Sequence, residues 1–147
     1  MIVRAALTAC LLTVAAAAPL RADPISDGVA ALSSTVQDVR TAGTWEKDDK
    51  KGVYRIVIVR SGPEPTARLF VQWLAAAEDG TFSIDRTVDI KEMIELKRNI
   101  GDFVIETDED GLSLFLEVID PAADGAKDSY ELFIGDDETY RFGPASN

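Results

Sequence analysis

The residues able to do chemistry in this 147-residue chain are almost all carboxylates: 26 Asp and Glu stand against 15 Lys and Arg, with one Cys and no His. Histidine is the side chain that most often moves protons in catalysis. Without it there is no Ser-His-Asp triad and no Cys-His nucleophile. A single Cys also excludes a redox CxxC pair and the usual Cys/His zinc sites. The sequence holds no glycine-rich phosphate loop and no G-x-S-x-G elbow. Carboxylate chemistry remains. Two acids about 5–9.5 Å apart can cleave a glycosidic bond, and several together can hold Ca²⁺.

The acids concentrate in turns, at residues 46–49, 78–79, 108–110 and 136–138. In an antiparallel up-and-down meander, alternate turns fall at the same end. With residues 91–101 as a crossing at the opposite end, all four acidic turns share one pole. Asp79, Asp108, Asp110, Asp136 and Asp137 are therefore candidate Ca²⁺ ligands, or a surface for a basic partner. Asp and Gly are also what tight turns use for their own sake. No stretch spells a full D-x-[DN]-x-[DN]-G-x₅-E loop, and no other cofactor is indicated. Gathered within a Debye length, such acids would repel one another and titrate higher than usual.

Three further residues are candidate ligand contacts. Gln72 sits between Val71 and Trp73 in the most apolar segment. A buried amide there needs partners, so it is either a structural clip or the polar contact of a site. Trp73 is a core residue unless its face is open. Arg86 interrupts the apolar side of an alternating strand and must reach water or a carboxylate. Trp45, Tyr54, Phe70, Phe82, Phe103, Phe115 and Tyr130 also lie in or beside predicted strands, where they fill a core or line a cavity.

The element that positions these groups is a hairpin over residues 53–77. Its two β-branched and aromatic runs flank a Gly/Pro cluster at 61–65 that cannot continue a strand. Strict alternation predicts a half-exposed strand over 81–90. Asp89 with Glu92 resembles a capping box and predicts a short helix at 91–98, with Gly101 as a possible stop. Further strands follow near 103–107, 112–119, 130–134 and 140–142, and residues 143–147 read as a frayed tail. Upstream, Ile25, Val29, Leu32, Val36 and Val39 form an amphipathic stripe, predicting a helix at about 27–38 against the sheet. The fold class is mainly β: about seven strands in a small sandwich or barrel.

Residues 1–22 have the pattern of a cleaved secretory signal peptide, leaving one β-rich domain over 23–147. The apolar run is too short to span a bilayer, so no stable membrane anchor is expected. Cys10 has a lipoprotein-like context but stands too close to Arg4 and inside an apolar run that continues past it. Cleavage leaves 125 residues with a net charge of −13, from 13 basic and 26 acidic side chains. That charge opposes nucleic acid as a partner. The expected function is a non-enzymatic binding or interaction module, periplasmic or secreted, with an unknown protein or small-molecule ligand. The alternatives are a carboxylate-dependent hydrolase of envelope saccharides and a carrier of small hydrophobic ligands. Mass spectrometry of the protein from its native host should find a chain beginning near Asp23. A diacylglyceryl adduct on Cys10 would contradict this.

Overall fold

The computed structural model describes residues 23–61, 66–108, 110–135, 137 and 139–146. Residues 1–22, with the expected signal peptide and Cys10, residues 62–65 of the Gly/Pro connection and Asp136 lie outside the described residues. The chain divides at Leu32 into two units.

The first unit contains helix α1, Pro24–Ala30. The Asp23 carboxylate accepts from the N–H groups of Ile25 and Ser26, at 3.2 and 3.4 Å, and Pro24 follows directly. An acidic N-cap before a first-turn proline is a favourable start for a helix. The helix is shorter and earlier than the hydrophobic spacing predicts. Ser33 and Thr35 bond to one another through their hydroxyls at 2.8 Å, and such local bonds compete with helix continuation. Val36 and Val39 consequently enter a strand. Ile25, Val29 and Leu32 are exposed, not buried.

The second unit is mainly β, with eight antiparallel strands in two sheets. The first sheet runs in the order β1 (Val36–Lys47), β2 (Lys50–Ser61), β3 (Thr66–Ala76), β4 (Phe82–Asp89). Helix α2 (Lys91–Leu96) then leads to the second sheet. Its order is β5 (Asn99–Thr107), β6 (Gly111–Asp120), β7 (Ala126–Gly135), β8 (Tyr140–Pro144). The arrangement is sandwich-like and does not close into a barrel. Among the described residues no helix is long and apolar enough to cross a membrane.

Local chemistry explains the turns. Asp48 and Asp49 both adopt positive φ, at 50° and 64°. Two consecutive left-handed residues are what a tight two-residue hairpin requires, and Asp tolerates this better than most side chains. Asp89 does not cap α2. The N-cap position is Ile90, without a side-chain bond, because the Asp89 carboxylate is engaged by Arg68. The helix ends on Lys97 at φ 51°, whereas Gly101 lies inside β5. The tail is also more ordered than its composition predicts. Gly143 and Pro144 complete β8, and the Ala145 N–H donates to the Ser129 carbonyl at 2.9 Å.

Period-2 alternation sends Tyr54, Ile56 and Ile58 of β2 and Leu69, Val71 and Trp73 of β3 to one face. They pack with Leu112, Leu114, Leu116 and Val118 of β6 and with Leu132 and Ile134 of β7. Ile90 and Met93 close the layer near α2. The inter-sheet space is filled by side chains, and no described polar or charged residue is buried. Trp73, 1% exposed, meets the Tyr54 ring edge-on at 5.6 Å between centroids. Replacing Trp73 by Ala should lower unfolding free energy by about 3–5 kcal/mol, read as a shift of the denaturation midpoint. An unchanged midpoint would contradict this packing.

Candidate functional site: a groove and an apolar face on the first sheet

The bend that shapes the site is a β-bulge in β1 between Ala42 and Trp45. Gly43 carries it at φ 60°, and a Cβ there would stand 2.9 Å from Thr107 Cγ2. Glycine meets both demands. The bulge sets Trp45 opposite Gly52, and the Trp45 indole N–H donates to the Val53 carbonyl at 3.2 Å. Any side chain at Gly52 would strike the Leu74 carbonyl and crowd the Trp45 indole, 1.7 and 3.0 Å away. The ring therefore needs a bare strand beneath it.

Trp45 becomes one wall of a groove of about 580 Å³. Val53, Ala76 and Phe82 supply further apolar surface, while Glu46, Lys51 and Asp108 supply charge. Asp108 arrives from the β5–β6 turn, fixed by accepting from the N–H groups of Asp110 and Gly111 at 2.9 and 3.1 Å. Phe82 is 53% exposed.

The groove opens onto the outer face of the first sheet. Strand register aligns Val53, Leu74 and Ile84 in one apolar row, of which Leu74 is only 6% exposed, and Val39, Val57 and Phe70 in another. Ile84 and Val39 are 54% and 45% exposed. Between these rows runs a polar one that satisfies itself. Arg55 Nε–H donates to Gln72 Oε1 at 2.7 Å, and Gln72 Nε2 donates to Thr87 Oγ1 at 3.1 Å. The charge is unevenly spread. Residues 36–89 hold eight basic and nine acidic side chains, whereas residues 90–147 hold five and fifteen. The first sheet is close to neutral and the second strongly anionic.

The three ligand contacts read from the sequence do not converge. Gln72 lies on the outer face as a structural clip, and Trp73 lies on the opposite, buried face. Arg86 is paired across the strands with Trp73, its guanidinium 4.9 Å from the ring centre. That stacking is one contact of the interrupting charge. Trp45 and Phe82, named above among the aromatics, do reach the groove. Lys51, Val53 and Ala76 carry no sequence signal of their own, because the bulge that gathers them is visible only in the pairing.

The acidic turns meet the strand count. The 48–49 and 77–81 turns close the same end of the first sheet, and strand order puts Asp108 after β5 and Asp137 after β7 at one end of the second. Asp108 in the groove beside Glu46 and Lys51 joins those ends. The expected upward titration is overturned for two of these acids. Asp79 accepts from the hydroxyl and N–H of Thr81 at 2.6 and 3.0 Å, and Asp137 does the same with Thr139. In both cases the hydroxyl bond, then the backbone bond, holds the carboxyl below its ordinary value. Donors at hydrogen-bond distance outweigh like charges across solvent. Among the described residues no group of three or more His, Cys, Asp or Glu side chains could hold a metal ion. Asp136 falls outside them.

Comparison with known proteins finds no matching family model, no matching curated protein and no matching solved structure.

A carboxyl depressed on folding adds stability above its unfolded pKa, and this is lost as pH falls through the folded value. Asp79→Ala and Asp137→Ala should therefore flatten the fall in stability as pH drops below 3.8, the ordinary Asp value. Thermal unfolding at neutral pH should be the same with and without millimolar CaCl₂ at physiological salt. A rise with Ca²⁺ would revive the turns as a metal site.

Proposed function

We propose that the protein is exported to the bacterial envelope and acts there without catalysis, as a binding module for a polypeptide segment laid across the first sheet. The observation that carries this reading is the Trp45–Phe82 groove with the exposed apolar side chains Phe82, Ile84 and Val39 on the same sheet. Contiguous apolar surface rimmed by charge is what interaction sites expose and monomers ordinarily cover. The polar row between the apolar ones is already hydrogen-bonded, so covering it strands few donors. Groove charges Glu46 and Asp108 favour a partner with a basic residue beside an apolar one. Export rests on the residue pattern of 1–22.

The chain has two Trp residues, so the Trp45 indole N–H gives a separate resonance. Titration of residues 23–147 with an aromatic-lysine peptide should move that resonance and the amides of Val53, Ala76 and Phe82. A matched aromatic-glutamate peptide should move them at least several-fold less, and Phe82→Ser should abolish the response. No response to either peptide, or one spread over both sheets, would overturn the proposal.

A further inference from the structure

The polar row on the outer face of the first sheet is Thr41 of β1, Arg55 of β2, Gln72 of β3 and Thr87 of β4, in register across all four strands. Its hydrogen bonds run one way, from Arg55 Nε–H to Gln72 Oε1 at 2.7 Å and from Gln72 Nε2 to Thr87 Oγ1 at 3.1 Å. They use the Nε of the guanidinium. Its two terminal Nη groups have no partner among the described residues.

Arg55 is half-buried, and no described carboxylate pairs with it. Its neighbours along β2 on this face are Val53 and Val57. In the adjoining row the one acid, Asp89, is already engaged by Arg68. While the face is open, water hydrates the Nη groups at no cost. Beneath a bound segment they lose that water, and a guanidinium desolvated without a counter-charge is costly. A carboxylate answers it with two parallel, charge-assisted N–H···O bonds, and the Gln72 contact holds the fork in place to make them.

We infer that Arg55 selects the partner of this face by receiving a carboxylate from the bound segment. The inference rests on the reading of the first sheet as a polypeptide-binding face, and it adds the side-chain chemistry that the face recognises. Val53 lines the groove, and Arg55 lies two residues farther along β2, about 7 Å at the rise of a strand. Glu46 and Asp108 in the groove favour a basic residue beside the aromatic one. An extended segment along β2 therefore presents a basic residue, an aromatic, one spacer and an acid, with the acid over Arg55. The net negative charge of the chain opposes an acidic ligand at long range. A preference for the acid can come only from a local contact.

The test compares two peptides on residues 23–147. Both carry lysine beside the aromatic residue. Two positions beyond the aromatic, one has glutamate and the other glutamine, and each pair is made in both chain orders. The Trp45 indole N–H resonance reports the groove, and the Arg55 Nε–H resonance reports the contact. In one chain order the glutamate peptide should bind about tenfold tighter than its glutamine twin, equivalent to about 1.4 kcal/mol, and should move the Arg55 resonance. Arg55→Gln should make the two peptides equal while the Trp45 response remains. Equal affinities in wild type, or tighter glutamine peptides, in both orders and with Trp45 responding, would overturn the inference and leave the groove reading intact. No Trp45 response to any of the peptides would overturn both. The wild-type comparison decides the matter even if the variant fails to fold.

Discussion

One apolar layer, closed between two sheets, is the constraint on which this structure depends. The chain has a single cysteine and can form no internal disulfide. The sheets are therefore held by burial of Trp73, Leu69, Val71 and Ile56 against Leu112, Leu114, Leu116 and Leu132. Arg98 adds a polar clamp at the crossing. Its carbonyl accepts from the Ala67 N–H at 2.8 Å in the first sheet, while its guanidinium meets Asp120 at 3.0 Å and Asp128 in the second. Because most inward positions are spent on this layer, we place interaction on outward faces and strand edges.

Three of the four edge strands are guarded. On β5, Asn99 and Asp102 accept from the N–H groups of Ile100 and Phe103, while Arg60 and Arg40 take the carbonyls of the same two residues. Strand β4 has a bulge beside Arg86, whose charge lies on the inner side. Strand β8 is only five residues long and ends in Pro144. Bulges, inward charges, prolines and short strands all discourage a foreign strand from pairing. The outer face of the first sheet has no such protection. It combines exposed Val39, Phe82 and Ile84 with near-neutral charge, while the second sheet's acidity keeps that side in solvent.

Much of this was legible from residue types. Alternation identified the strands, and the Asp-Gly turns fixed which ends the acids occupy, because both depend on neighbours in sequence. The helix at residues 91–96 was legible too, though its Asp89 cap was not, since Arg68 reaches that carboxylate from another strand. The stripe from Ile25 to Val39 misled because its spacing suits a helix, while Ser33 and Thr35 bond locally and release Val36 into β1. The site was the least legible part. Trp45 and Phe82 were visible as aromatics, but the Gly43 bulge that turns Trp45 over Gly52 depends on pairing register. Hydrogen-bonded turn acids likewise titrate according to Thr81 and Thr139, not according to how many acids share a pole.

The central claim is that the first sheet, not the second, meets the partner. Phe82 and Val104 give a matched comparison, 53% and 58% exposed on the outward faces of different sheets. A photo-crosslinking phenylalanine analogue placed at each position in turn, in the native host, should give a discrete adduct from position 82 and none from 104. Adducts from 104 alone, or from neither position, would contradict the account.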